Sequence, residues 1–138
     1  MKNKTIVIGC GRLGGSIANY AFERGENVVI IDSDPSAFDR LSDVFSGFKV
    51  CADATDPTVL EDAHIKTARD VLIATGDDNI NYFLADLSLK VYQVPNIYVR
   101  FDDPDKSALI AGENIQAIYP FELSRAKFDA LKKAADQK

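Results

Sequence analysis

Short apolar runs alternate with amphipathic segments along the 138 residues of the chain. Runs rich in β-branched residues predict strands, and a turn signal followed by a helix start comes after each of them. The predicted strands centre on residues 6–8, 28–31, 47–51, 71–74, 96–100 and 115–118. This alternation predicts an α/β fold, a doubly wound parallel sheet of six strands in the order 3-2-1-4-5-6, with helices on both faces and a C-terminal helix.

The spacing of apolar residues also predicts which helix faces are buried. A helix that starts at Asp34-Pro35 is expected to point inward Phe38, Leu41 and Val44. The long helix after the fourth strand is expected to bury Ile80, Phe83, Leu84, Leu87 and Val91. A fifth helix is predicted from Asp103-Pro104 to Gly112, and a final helix at about 121–136.

The first strand ends in a glycine turn with the spacing G-x-G-x-x-G, formed by Gly9, Gly11 and Gly14. In a Rossmann unit the first glycine permits the turn, the second lets a pyrophosphate approach the backbone, and the third lets helix and strand pack closely. Free N–H groups at the start of the following helix then face the phosphates. The turn therefore predicts a nucleotide site.

Asp32 ends the second strand, 23 residues after Gly9. An acidic residue at about this position accepts hydrogen bonds from a ribose, although capping of the next helix is the alternative role for Asp32. Its charge would repel a 2′-phosphate, and no arginine follows directly, so NADP is disfavoured by at least ~1 kcal/mol. The helix starts at Asp34, Asp56 and Asp103 are expected to be capped by their own carboxylates, which leaves the glycine turn open to phosphate.

Composition narrows the function classes. A net charge of −5 argues against a nucleic-acid surface, which needs clustered Lys and Arg. The Met-Lys-Asn-Lys start does not resemble a signal peptide, and no apolar run is long enough for a membrane span, so a cytoplasmic protein is expected. Cys10 and Cys51 do not suggest a disulfide framework. The length predicts a single domain over residues 1–138.

Several motifs together resemble the RCK/KTN domain of the TrkA-N type, the nucleotide-binding regulatory domain of Trk and Ktr potassium transporters and of potassium channels. They are the glycine turn with Arg12, then Asp32, and the segments 52–56, 74–79 and 99–104. The resemblance covers nearly the whole chain. It implies a cytoplasmic domain that binds NAD(H), ATP or ADP and signals to a membrane potassium transporter or channel subunit through dimers assembled into a ring.

The resemblance also implies roles for individual residues. Phosphates would be held by Gly9, Cys10, Gly11, Arg12, Leu13 and Gly14. Asp32 would bind the adenosine ribose, Asp53 and Ala54 would border the adenine, and Thr75 and Gly76 would lie beside the distal part of the ligand. Arg100 would lie near the terminal phosphate or a dimer contact.

The C-terminal part departs from the resemblance. Many members continue into a second, smaller ligand-binding subdomain, which is not expected within residues 1–138. The final helix crosses to a neighbouring subunit in the family, whereas its apolar stripe also fits a helix that covers its own sheet.

Other functions of the same fold stay open at the sequence level. An NAD-dependent oxidoreductase would need a proton donor or acceptor, yet the chain has no Tyr-x-x-x-Lys arrangement, and its one histidine, His64, is predicted on the surface. A methyltransferase-like adenosine binder would not need the third glycine or Arg12. No metal site is expected, although carboxylates could gather a divalent cation around bound phosphates. A regulatory module without catalysis is therefore the favoured interpretation.

Overall fold

The computed structural model describes residues 3–138 and contains one six-stranded parallel sheet. The strands lie in the order β3-β2-β1-β4-β5-β6, which confirms the predicted topology. Their bounds are β1 Lys4–Ile8, β2 Asn27–Asp32, β3 Phe48–Cys51, β4 Asp70–Ile73, β5 Asn96–Arg100 and β6 Gln116–Ile118. Met1 and Lys2 of the N-terminal segment considered above lie outside the described residues.

Helices and shorter 3₁₀ segments connect the strands. The helices are α1 Arg12–Glu23, α2 Pro57–Asp62, α3 Asp78–Lys90 and α4 Pro120–Asp136. The 3₁₀ segments are Pro35–Arg40, Ile65–Thr67 and Pro104–Ile110. Every strand pair is parallel, so all carboxyl ends of the strands meet at one edge of the sheet.

Alternate residues of the central strands pack into two apolar clusters, one on each face of the sheet. Val7 and Ile30 contribute to the cluster that also contains Ala18 and Ala21 of α1. The opposite cluster contains alternating strand residues with Leu60 of α2 and Leu84 of α3, among them Ile6, Ile8, Val71 and Ile73. Burial of β4 on both faces agrees with its continuous apolar sequence.

The prediction of a longer helix from Asp34-Pro35 is wrong beyond the first turns. The segment is a 3₁₀ helix that ends at Arg40, and Val44 is 70% exposed rather than inward. Leu41 is buried as predicted, and Phe38 packs partly against the core. The helix stops because the Ser42 N–H donates to the side chain of Asn19 on α1, at 2.9 Å, instead of to a carbonyl of its own segment.

The buried face of α3 is shifted by one residue from the predicted stripe. Its fully buried residues are Asn81, Leu84, Ala85 and Ser88. Leu84 was correctly placed and Leu87 is partly buried, whereas the exposed residues of the predicted stripe are Ile80, Phe83 and Val91. The polar side chains on the buried face are hydrogen-bonded, which removes the cost of burying them.

Two further C-terminal predictions need correction. The segment after Asp103 is a 3₁₀ helix of seven residues that ends at Ile110, and it begins with an i→i+3 bond from the Lys106 N–H to the Asp103 carbonyl. The final helix exists as predicted, but none of the residues Pro120–Asp136 is buried. The interpretation that α4 covers its own sheet is therefore wrong.

Candidate functional site

A crevice of about 450 Å³ opens at the carboxyl ends of β1 and β4, where the strand order reverses. This is the position at which open α/β sheets bind their ligands. The crevice brings together most of the residues predicted from the sequence, namely Gly9, Cys10, Gly11, Asp32, Asp53, Ala54, Thr75, Gly76 and Arg100.

The three glycines of the turn have different structural roles. Gly9 has φ of +97°, and a Cβ there would lie 2.6 Å from the Ala74 carbonyl oxygen. A Cβ on Gly14 would lie 1.8 Å from the Gly9 carbonyl oxygen, so the turn and α1 can pack together only with glycine. A Cβ on Gly11 would have no described neighbour within 4 Å. Gly9 and Gly14 thus serve the fold, while Gly11 borders the open crevice.

The start of α1 differs from four other element starts at this edge of the sheet, each of which an aspartate caps. The start of α4 also has no side-chain cap, but Glu122 adds an acidic group to its first turn. Asp34, Asp56, Asp77 and Asp103 each accept a backbone N–H of the segment they precede, which confirms the predicted capping at Asp34, Asp56 and Asp103. Gly11 precedes α1, and no described side chain caps that helix or adds an acidic group to its first turn. The N–H groups there remain available to an anion.

Asp32 connects the glycine turn to the segment after β2. Its Oδ2 accepts the Cys10 N–H and its Oδ1 accepts the Asp34 N–H, both at 2.8 Å. The capping alternative is therefore partly right, because Asp32 supports the next segment while Asp34 caps it. Each carboxylate oxygen can accept a further hydrogen bond, so ribose hydroxyls could still bind at the half-buried Asp32.

Asp53 and Thr55 form the wall after β3. The Thr55 N–H and hydroxyl donate to Oδ1 of Asp53 at 2.9 and 2.7 Å. These hydrogen bonds lower the pKa of Asp53 below its ordinary value, which favours the carboxylate at neutral pH. Hydrogen bonds from Ser36 lower the pKa of Asp34 in the same way.

Cys10 is part of the glycine turn, and its side chain points beneath the turn. Its side chain is buried, and Sγ is 3.3 Å from the Ala37 carbonyl oxygen. Burial, with the nearby charge of Asp32, raises the pKa of the Cys10 thiol. Both cysteines are unbridged in residues 3–138, as the sequence predicts. Cys10 contributes a neutral, small side chain to the floor of the crevice.

Arg100 closes the distal end of the crevice. Its guanidinium pairs with the Asp102 carboxylate at 2.8 Å and lies over the ring of Phe121, 5.9 Å from the ring centroid. The Arg100 side chain is only 19% exposed. The Arg100 guanidinium therefore lines the crevice and also contacts the Asp102 carboxylate and the first turn of α4.

Three predicted residues do not line the crevice. Leu13 packs partly against the core, and Gly14 lies inside the packed turn. Arg12 lines a shallow groove beside the crevice, and Arg40 lines the same groove. Of the six predicted phosphate contacts, three line the crevice, Arg12 lies at its rim, and Leu13 and Gly14 are packed into the fold.

Arg40 is the main lining residue that the sequence did not indicate. It borders both the crevice and the adjoining groove, and makes no ion pair with any residue between 3 and 138. No spacing rule connects it to the glycine turn, because the 3₁₀ segment Pro35–Arg40 brings it there. Ser33, Asp34 and Thr55 also line the crevice, and their proximity to predicted residues was the only available signal.

A larger concavity of about 640 Å³ lies at the opposite edge of the sheet, near the amino ends of β2 and β3. Apolar side chains form much of its wall, among them Phe22, Val28, Val29 and Phe48. It lacks the exposed helix start that borders the crevice in the described part of the chain. Size alone therefore does not identify the site, and the chemistry favours the crevice.

Other chemical groups are located away from this site. His64 is exposed as predicted and has φ of +59° before a 3₁₀ segment. The described residues contain no group of three or more His, Cys, Asp or Glu placed to hold a metal ion. None of the helices in residues 3–138 combines the length and apolar character needed to cross a bilayer.

The sequence model of the TrkA-N domain matches residues 5–120. The chain belongs to the TrkA-N domain family. This confirms the resemblance drawn from the motifs, and the glycine turn, Asp32 and Arg100 all lie within the matched region of the TrkA-N domain.

Relatives and solved structures agree with this membership. The Trk system potassium uptake protein TrkA of Streptomyces coelicolor is 31% identical over 102 residues, which make up 74% of this chain and 46% of that protein. The TrkA-N domain described here thus spans about half the length of the curated relatives it matches. The GsuK RCK domain superposes with a TM-score of 0.81 at 20% identity, over 96% of this chain and 28% of that one. That likeness shows the fold.

A third similar protein is the NAD(P)-binding domain of an exopolyphosphatase-related protein from Archaeoglobus fulgidus. It is 26% identical, with a TM-score of 0.73 over 94% of this chain and 97% of that one. The TrkA-N domain therefore matches both potassium uptake proteins and a domain named for nucleotide binding.

Proposed function

We propose that the crevice binds the adenosine diphosphate part of NAD(H), ADP or ATP. The observation that carries this proposal is that Gly11, the residue at the uncapped start of α1, lines the same crevice as the Asp32 carboxylate. The first can hold phosphate oxygens and the second can accept ribose hydroxyls, at the distance that the folded turn imposes. Cys10 connects the two, because its N–H donates to Asp32.

The remaining lining residues complete the proposed ligand path. Asp53 and Ala54 border the adenine, while Thr75 and Gly76 border the part of the ligand beyond the first ribose. Arg100 provides a positive charge at the distal end. Arg12, at the rim, adds a second cation for the phosphates, and a divalent cation would bind only together with the nucleotide.

NAD and adenosine phosphates suit the crevice better than NADP because of the Asp32 charge. The name of the Archaeoglobus fulgidus domain, which is NAD(P)-binding, supports a dinucleotide as the ligand class. Arg40, which has no ion-pair partner in residues 3–138, adds a positive charge near Asp32 and reduces the expected discrimination.

The proposed role is regulatory rather than catalytic. Side chains lining the crevice in residues 3–138 include carboxylates, guanidiniums and hydroxyls, but no imidazole, amine or phenol that would exchange a proton with a substrate. The Cys10 thiol is buried and its pKa is raised. The competing proposal, an NAD-dependent oxidoreductase, uses the same crevice and would require one of its carboxylates, or a group from another chain or segment, to transfer the proton.

Potassium uptake is the process proposed for this regulation, because the Streptomyces coelicolor relative is named a Trk system potassium uptake protein. The partner would be a membrane-embedded transporter or channel subunit, with the domain on the cytoplasmic side. A homodimer or larger ring is also proposed. The exposed apolar residues of α4 support it, namely Phe121, Leu123, Phe128 and Leu131.

Calorimetric titration with NADH, ADP, ATP and NADPH tests the ligand class. Micromolar binding of the first three and weaker binding of NADPH are expected. Asp32→Ala removes the proposed ribose acceptor, while Asp56→Ala, which removes a helix cap outside the crevice, is the matched control. If wild type binds none of the four nucleotides, the proposal is wrong. Equal loss in both variants would show that general destabilisation, not ribose binding, explains the effect.

A further inference from the structure

Asn81 is a polar residue with no exposed surface, and it lies on the face of α3 that packs against the sheet. Its amide oxygen accepts hydrogen bonds from the Thr75 N–H, at 3.1 Å, and from the Thr75 hydroxyl. Its amide nitrogen donates to the Thr75 carbonyl at 3.0 Å and to the Arg100 carbonyl at 2.9 Å. The side chain therefore uses its full hydrogen-bonding capacity on two residues.

Thr75 and Arg100 belong to different segments of the chain, and both residues line the crevice. Thr75 follows β4, and Arg100 ends the neighbouring strand β5. Three of the four contacts to Asn81 involve a backbone group, so the amide holds the backbones of these two segments together. Asp78, one helical turn earlier, accepts the Asp102 N–H at 2.9 Å and restrains the chain just after Arg100.

The other half of the crevice is held by separate contacts. Asp32 is fixed by the N–H groups of Cys10 and Asp34, and Asp53 by Thr55. Among the described residues, none of these contacts uses Asn81. Loss of the Asn81 amide would therefore loosen the distal half of the crevice and leave the adenosine half in place.

We propose that Asn81 is a positioning residue that fixes the Thr75 turn against Arg100 and so shapes the distal half of the crevice. It selects for ligands that extend beyond a nucleoside monophosphate. This inference rests on the proposed nucleotide function, but it makes a separate claim about ligand length.

The test compares AMP, which reaches only the adenosine half, with NADH, which extends to the distal half. In Asn81→Ala, the NADH affinity is expected to fall about tenfold relative to the AMP affinity, because three backbone groups lose their buried partner. Ser88→Ala is the matched control. Ser88 is equally buried on the same helix, but its hydroxyl donates to the Leu84 carbonyl within α3, at 2.7 Å. This control is expected to leave the ratio of affinities unchanged.

Equal weakening of AMP and NADH in Asn81→Ala would overturn the positioning role, and so would unchanged affinity for both. If Asn81→Ala does not fold, Thr75→Val and Thr75→Ser decide. The valine removes the hydroxyl that donates to Asn81 and is expected to weaken NADH selectively, whereas the serine retains it and restores binding. Equal NADH affinity in these two variants contradicts the proposal. Failure of wild type to bind either ligand would instead refute the nucleotide function itself.

Discussion

The carboxylate of Asp32 accepts the backbone N–H of Cys10 at 2.8 Å, across the gap between β2 and the glycine turn. The same carboxylate accepts the Asp34 N–H at 2.8 Å. One side chain therefore holds the phosphate-facing turn and the segment after β2 in a fixed relationship. Phosphate and ribose recognition are expected to depend on each other, because both are built on this contact.

Asp32→Asn is expected to change nucleotide selectivity. The amide removes the negative charge that would repel a 2′-phosphate, and Arg40 can then attract it. A gain of roughly 1 kcal/mol corresponds to about a fivefold rise in NADPH affinity relative to NADH. Competition titrations with the two dinucleotides measure this ratio.

The double variant that combines Asp32→Asn with Arg40→Ala is the second protein in that measurement. Removal of the cation should reverse part of the gain in NADPH affinity. An unchanged ratio in Asp32→Asn would contradict the claim that the carboxylate lies beside the ribose.

Two alanine substitutions in the glycine turn are expected to have opposite consequences. Gly14→Ala places a Cβ 1.8 Å from the Gly9 carbonyl oxygen and should destabilise the fold by about 3 kcal/mol. Gly11→Ala meets no described atom within 4 Å, so its stability should stay within about 1 kcal/mol of wild type. Its methyl group would nevertheless occupy the proposed phosphate position.

Chemical denaturation and ADP titration of both variants check this pair. Stable folding of Gly11→Ala with at least about tenfold weaker ADP binding is the expected result. Wild-type affinity in Gly11→Ala would place the phosphates elsewhere.

The two cysteines are expected to differ in reactivity. Cys51 is exposed, whereas Cys10 is buried and its thiol has a raised pKa, so little thiolate forms at Cys10 near pH 8. Brief treatment of the folded protein with iodoacetamide should modify Cys51 alone, as peptide mass spectrometry would show. The unfolded protein should react at both positions. Rapid modification of Cys10 in the folded state would contradict the packing of the glycine turn over Ala37.

The exposed face of α4 is expected to mediate self-association. Phe128 is 63% exposed, so Phe128→Glu should change the free energy of unfolding by less than about 0.5 kcal/mol while it weakens the dimer. Lys133→Gln, on the polar side of α4, makes the same change in net charge and should leave association intact. Light scattering across a concentration series measures both. A dimer of Phe128→Glu as strong as that of wild type would remove α4 from the proposed interface.

Topology and the main features of the crevice could be predicted from the sequence, because strands with continuous apolar residues and a glycine turn have few alternative arrangements. Which face of α3 is buried could not be predicted from the sequence. Hydrophobicity assigns Ile80 and Phe83 to the core, but Asn81 and Ser88 take the buried positions because their polar groups find partners there. The partners of Asn81 become visible only when β5 is placed beside the Thr75 turn, whereas Ser88 bonds to Leu84 within α3.

Arg40 illustrates a second limit of sequence reasoning. Its position beside the glycine turn depends on a 3₁₀ segment that replaces the predicted longer helix. The bond from Ser42 to Asn19, which ends that segment, joins residues far apart in the sequence. Local propensity carries no information about such a contact.

Amide chemical shifts of ¹⁵N-labelled protein, recorded during titration with NADH, test the central claim most directly because they locate the ligand on the sheet. The largest changes are expected at the turn Gly9–Gly14 and at Asp32, Asp53 and Thr75. Residues of the opposite concavity, such as Phe48 and His64, should not shift. Saturable changes centred on Phe48 and His64, with the glycine turn unaffected, would contradict the account.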